Sequence, residues 1–338
     1  MPTLRDRLKD LRKKYEKSIG SAFFDSIQSI KDTAPIAAIV AAIESREFER
    51  AVDLLNINSA SLRPVDRTMA QAFEDAGSVT AGALAAGARS QRGRGAQAAF
   101  RFDVRNRRAE SWLAGQSGTL ITRILDDTRD AVRLALQDGM LAGRNPRSVA
   151  LDIVGRIDPG TGRRTGGIVG LSGPQSGFVR NARGELSGGN LLNYLNRRAR
   201  DKRFDVYVNR AIKDGIDIPS DIQSKMIARY TDNLLRIRGE AIGRTEAIRS
   251  LNQGQFEAMQ QGVETGTVQA VRKIWDSAGD DRTRESHAEL DGEMVGIDEP
   301  FISPTTGASL MFPGDASMGA PGEDTINCRC RVRYDVDF

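Results

Sequence analysis

Histidine and cysteine are almost absent from this chain, with one His and two Cys among 338 residues. They are His287, Cys328 and Cys330, all within one short C-terminal stretch. That scarcity removes whole classes of function. Two cysteines one residue apart cannot staple a large fold, and a bond between them would be badly strained. A reducing compartment is therefore the default. One histidine cannot complete a His-rich catalytic metal set, and no HExxH motif occurs. Aromatic residues make up only 6%, which argues against a carbohydrate groove or a base-stacking platform. No stretch reaches the roughly 18 apolar residues that a bilayer span needs. The opening MPTLRDRLKDLRKKYEK carries charge throughout and has no apolar h-region, so it does not read as a secretory signal.

What the chain does have is arginine, alanine and helical periodicity. Apolar residues are 39%, enough for a core, and the length suits two or three domains. The net charge is only +4, with a pI of about 9.2, a thinly spread positive excess that is weak support for nucleic-acid binding. Leu4, Leu8, Leu11 and Tyr15 repeat at helical spacing behind a capping Thr3, and Ile19, Phe23, Ile27 and Ile30 continue the pattern. Further helices are expected over 36–43, 46–55 and 65–88, the last rich in alanine, the best helix former. Leu120 to Ala142 is the clearest helix, stopped by Gly143 with Pro146 beyond it. Short helices follow over 146–157 and 178–186, then longer ones over 191–208, 220–237 and 239–261.

Two segments break the helical pattern. After Arg89, Arg92 and Arg94 alternate with glycine, and Arg101, Arg105, Arg107 and Arg108 follow. Guanidinium groups on such a loop suit phosphate oxygens, while the plainer reading is an exposed linker. The glycine-rich run over 158–177 lacks the GxxxxGK[ST] order of a P-loop, so a surface loop or short hairpin is expected. From Val268 onward the period changes to short strand-like runs over 268–275, 293–295 and 329–334. The expected fold is α+β: a mainly α-helical body with a small C-terminal α+β or β-rich domain. The segments are an N-terminal helical region over 1–100, a helical body over 101–265 and an end domain over 266–338.

The end domain holds the chemistry. Trp275, Asp280, Asp281, Arg282, Arg284, His287, Leu290, Asp291, Gly292, Phe301, Pro313, Gly314 and then Asn327-Cys-Arg-Cys follow in that order. This order resembles the C-terminal domain of the phage Mu F-like minor head proteins, the phage head morphogenesis family. Arg244-Thr-Glu-Ala upstream is similar to that family's lead-in helix. Phe102-Asp-Val-Arg, Gly143-Arg-Asn-Pro and Leu151-Asp-Ile-Val-Gly-Arg-Ile look like tailed-phage members too.

The resemblance implies a minor head (capsid) protein, not an enzyme. Such a protein is a low-copy virion component, present in the host cytoplasm during assembly. It acts in head assembly or DNA packaging near the portal. Its implied partners are the portal protein, coat or scaffold protein, and packaged DNA bound without sequence preference by Arg89–Arg108 and the arginines of 197–203. The alternative is a cytoplasmic nucleic-acid-binding accessory protein. A third reading, a hydrolase or toxin-like effector, would need a further module, and none is expected after Phe338. No cofactor is expected, but His287, Cys328 and Cys330 supply three soft ligands where zinc favours four. Some family members carry two cysteines where Arg284 and His287 stand here, and arginine cannot bind a cation. Asp276, Asp280, Asp291 or water would have to complete the set. The other reading is a hydrogen-bonded staple, with the thiols packed as small apolar groups and Trp275, Asp280, Arg282, Asp291 and Asn327 in support.

Overall fold

Alanine-rich runs and apolar residues at helical spacing make most of this chain helical. The computed structural model describes residues 3–92 and 100–338. In chain order come α1 (Leu4–Thr33), α2 (Ile36–Glu44), α3 (Phe48–Asp53), α4 (Arg63–Arg92), α5 (Arg107–Leu141) and α6 (Pro146–Val154). A hairpin of β1 (Arg156–Ile157) and β2 (Arg164–Thr165) sits in the glycine-rich run. After it come α7 (Gly173–Ser187), α8 (Leu191–Leu195), α9 (Asp205–Asp214) and α10 (Ser220–Glu264). The end of the chain holds β3 (Ala270–Asp276), α11 (Glu285–Glu289), β4 (Met294–Gly296), β5 (Phe301–Ile302), β6 (Ser309–Leu310), α12 (Gly322–Thr325) and β7 (Arg331–Asp337). The fold is therefore α+β, a mainly helical chain with small antiparallel sheets toward its C-terminus.

Some elements differ from the sequence expectation. The run over 191–208 is two helices separated by a turn, where Asp201 accepts from the Arg203 amide and Arg200 pairs with Asp205 at 2.9 Å. Conversely, 220–264 is one helix that runs through Gly239. An interior glycine costs only about 1 kcal/mol against alanine, less than the packing of a long helix returns. Helix α5 begins at Arg107, well before Leu120.

The chain forms two compact units, and each is discontinuous in sequence. The first contains Met1–Ala22, Val65–Gly118 and Glu240–Phe338; the second contains Phe23–Pro64 and Thr119–Gly239. Neither coincides with the sequential segments 1–100, 101–265 and 266–338.

In the first unit the C-terminal half of α10 is the core. Residues 245–259 are buried on every face, the pattern of a helix wrapped by its neighbours. Close approach is obtained with glycine: a Cβ at Gly243 would meet the Glu16 carbonyl oxygen of α1, and one at Gly254 would meet the Phe73 carbonyl oxygen of α4. Several polar groups buried on α10 have partners, though Ser250 Oγ and Gln255 Oε1 make no hydrogen bond among the described residues. Arg249 bonds both carboxylate oxygens of Glu246 at 3.1 and 3.2 Å and donates to the Gly314 carbonyl at 2.8 Å. Asn252 donates to the Pro313 carbonyl at 2.7 Å. Gln261 and the backbone of Asp103 exchange two bonds of 2.9 Å.

Strand β3 is central in a three-stranded antiparallel sheet of order β4-β3-β7, with Trp275 opposite Val332. Its inward residues Val271, Lys273 and Trp275 alternate with more exposed ones, as a sheet with one buried face requires. Val271 packs with Leu84, Phe100 and Met259. Trp275 packs with Leu290, Phe301, Leu310 and both cysteines.

In the second unit α2 packs on α6 and α3, and a Cβ at Gly139 of α5 would meet Val149 of α6. Asn145 caps α6 with Pro146 at its first turn, and Ser172 caps α7 through a capping box with Gln175. Asp152 of α6 is nearly buried and takes Arg144, Arg156 and Arg183 together. Lys31 is fully enclosed, with its ammonium donating to the Gly166 carbonyl at 2.8 Å.

Candidate functional site

The one histidine and both cysteines meet in the first unit. The short helix α11 presents His287, which is 1% exposed. The backbone turns at Asn327, in the left-handed region with φ of 57°, and delivers Cys328 and Cys330 into the same apolar cluster. The imidazole Nδ1 lies 3.7 Å from the Cys328 sulfur and 3.5 Å from the Cys330 sulfur. Both cysteines are free thiols and buried. Trp275 meets the imidazole edge-on at a centroid distance of 5.1 Å and Phe301 at 5.3 Å. The hydrogen bond between the thiols lowers the pKa of Cys330 and raises that of Cys328, and burial pushes Cys328 further up. The imidazole beside Cys330 adds to its depression.

The supporting residues hold the rim. Asn327 receives a bond from Arg244 at 2.9 Å, and its amide donates to the Thr245 hydroxyl at 3.0 Å. Arg244, Thr245, Arg249 and Asn252 of α10 thus fix both the Asn327 turn and the Pro313-Gly314 turn. Asp280 lies on an exposed loop, where it pairs with Arg329 and accepts from the amide of Arg282 at 3.1 Å. The Arg329 hydrogen bonds hold its carboxyl well below the usual range. Asp291 accepts from the Ser277 amide at 2.8 Å. Asp276 pairs with Arg331. None of these carboxylates joins the group of ligand atoms formed by His287, Cys328 and Cys330.

Sequence reading passed over one residue here. Asp324 is buried, accepts from Ser303 at 3.0 Å and from Thr306, and places an oxygen 3.8 Å from His287 Nε2. Arg284 donates to the Ile326 carbonyl and so ties α11 to the turn before the cysteines. Asp324 sits in a Gly/Pro-rich stretch with no period or motif around it, so nothing local marked it out.

The arginines fall into distinct groups. Arg101, Arg105 and Arg107 are exposed, as is Arg89. Arg108 is engaged by Glu257 at 3.0 Å and by Glu264 at 2.5 Å. Arg94 and the side chain of Arg92 lie outside the described residues. In 197–203, Arg197 grips Glu185 at 2.7 Å, Arg200 grips Asp205 and Arg203 grips Asp201, while Arg198 stays exposed.

The last sheet is thus bonded to the buried half of α10, with the His-Cys-Cys cluster beside it. Residues 202–333 match the family described as Phage Mu protein F like protein. The match begins well before residue 266, so it takes in α10 as well as the sheet. The chain is 35% identical over 118 residues to the minor head protein GP7 of Bacillus phage SPP1, covering 35% of each. It is 30% identical over 135 residues to the protein YqbB of Bacillus subtilis (strain 168), covering 39% of this chain and 41% of that one. It is also 33% identical over 125 residues to the NAD(+)–arginine ADP-ribosyltransferase EFV of Enterococcus faecalis, covering 37% of this chain and 23% of the transferase. The chain thus spans well under half the length of these relatives. No solved structure matches it. Among the described residues, no helix is long and apolar enough to cross a membrane.

Proposed function

We propose that this chain is a minor head protein of a tailed bacteriophage, carried in the virion and acting in head assembly. The observation that carries the reading is the family match over 202–333. It coincides with the part of the chain where α10 and the C-terminal turns are bonded together. The similarity to a phage minor head protein supports the same reading. The finer role is assembly near the portal, at low copy number, with helical surfaces serving the portal, coat or scaffold protein. The role is structural and not catalytic: His287, Cys328 and Cys330 are buried, and the cysteines pack with Trp275 and Phe301, a place for a staple and a poor one for substrate. Quantitative mass spectrometry of purified virions and proheads tests the proposal, together with a pull-down of portal protein. The expected result is presence in both at far below coat-protein abundance, with portal protein retained. Absence from both preparations removes the assignment.

A further inference from the structure

The head-protein reading leaves the buried His287–Cys328–Cys330 cluster without a task. We propose that it is a structural metal site for a zinc-class divalent ion, ligated by His287 Nδ1 and the sulfurs of Cys328 and Cys330. The first support is size. With metal–sulfur bonds near 2.3 Å, metal–nitrogen bonds near 2.05 Å and tetrahedral angles, a nitrogen and a sulfur ligand stand about 3.6 Å apart. The imidazole-to-sulfur distances here are 3.5 and 3.7 Å. The ligand atoms of all three residues lie within 4.8 Å of one another.

The second support is independent and concerns the far side of the ring. His287 Nε2 is buried and makes no hydrogen bond among the described residues, yet it faces the Asp324 carboxylate at 3.8 Å. A metal on Nδ1 requires the ring proton to sit on Nε2. A metal-bound histidine characteristically directs that proton at a carboxylate, which orients the ring and raises its basicity. Asp324 is itself held by Ser303 and Thr306, so it is a fixed acceptor. If the sulfurs were served by a proton on Nδ1 instead, Nε2 would be left with a lone pair aimed at a carboxylate, a repulsive arrangement in a buried place.

The donor set also selects the ion. Two thiolates and an imidazole favour zinc over calcium or magnesium, which take oxygen ligands. Loading is a proton exchange: each thiol loses its proton to solvent as its sulfur bonds the ion, and no oxidant is involved. The fourth position falls to water or an outside ligand. Cys330 also borders a mainly apolar cleft of about 420 Å³ that Arg12, Asn252, Gln255 and Tyr334 line.

The test uses the full chain, purified reduced and without chelator. Elemental analysis should find about one zinc per chain, and titration of the stripped protein with cobalt(II) alone should give the intense tetrahedral bands and a sulfur-to-cobalt charge-transfer band. Cys328→Ser with Cys330→Ser should lose both. Because that double variant can fail to fold, Asp324→Asn provides a second arm. It keeps all three ligands and should weaken zinc affinity by on the order of 10–100-fold in competition with a chromophoric chelator, with unchanged circular dichroism. A folded, reduced wild-type chain that retains no zinc and gives no sulfur-to-cobalt band overturns the site. Unchanged affinity in Asp324→Asn overturns the part given to Asp324. Neither outcome bears on whether the protein is found in phage heads, so the two proposals fail separately.

Discussion

Lys31 shows how one residue can write itself into the pH dependence of the whole chain. Burial depresses its pKa from 10.5 to about 8, against the pull of Asp232 and Asp32. Below about pH 8 both the folded and unfolded chains hold the proton, and the folded state bears the full penalty. Between about 8 and 10.5 the unfolded chain binds more protons, so stability rises with pH through that window, by about 3 kcal/mol in total for this group. Lys273 is depressed to about 8 for the same reason, with its ammonium against the Phe256 and Phe301 rings and donating to the Met311 carbonyl. Lys31→Met should therefore reduce the alkaline gain in stability without abolishing it. Urea unfolding of both proteins across the window measures this, and identical slopes would contradict the assignment to Lys31. Neither lysine was singled out in the sequence, because charge at an inward position of a helix or strand looks like any other lysine until the fold encloses it.

At the scale of elements, the contact between α10 and α4 rests on Gly254. A methyl group there meets the Phe73 backbone, which cannot rotate away, so Gly254→Ala should destabilise the protein by about 1–3 kcal/mol. Gly118→Ala on exposed α5 has open space around the new atom and should be neutral or stabilising by up to about 1 kcal/mol. Equal thermal shifts in the two variants would refute the close-approach account. The helices were legible because apolar spacing of 3.6 survives in a single sequence, and β3 and β7 were legible by alternation. The buried sides of α10 were not. In the sequence Arg249, Gln253 and Glu257 look like a solvated face, and they are enclosed instead. Their partners, such as the Gly314 carbonyl, lie far along the chain. The convergence of His287 with Cys328 and Cys330 was readable from scarcity alone, whereas Asp324 became visible only when the fold set it behind the imidazole.

For the molecule as a whole, the arginine excess narrows to a few side chains. Arg108, Arg197, Arg200 and Arg203 are held by carboxylates of the same chain, so Arg101, Arg105 and Arg107 are the better candidates for phosphate. Duplex DNA binding should be weak and sequence-independent, and should fall by orders of magnitude between roughly 50 and 200 mM salt. Replacing Arg101, Arg105 and Arg107 with glutamate should remove most of it. An affinity indifferent to salt, or retained by the triple variant, contradicts this placement in an assay by fluorescence anisotropy.

The division of the chain into interleaved units also fixes an order of completion during synthesis. Every residue of the second unit has been made once Gly239 is added. The first unit must wait: Arg12 donates to the Arg329 carbonyl, 317 residues later, and Gly20 of α1 meets Gly243 of α10. Contacts of such long range are slow to form. On the ribosome, one unit can be whole while the beginning of the other still stands without the helix and sheet that will cover it. A chain cut short before α10 would keep α1 in that unfinished state permanently, so the first unit cannot be obtained by trimming from either end.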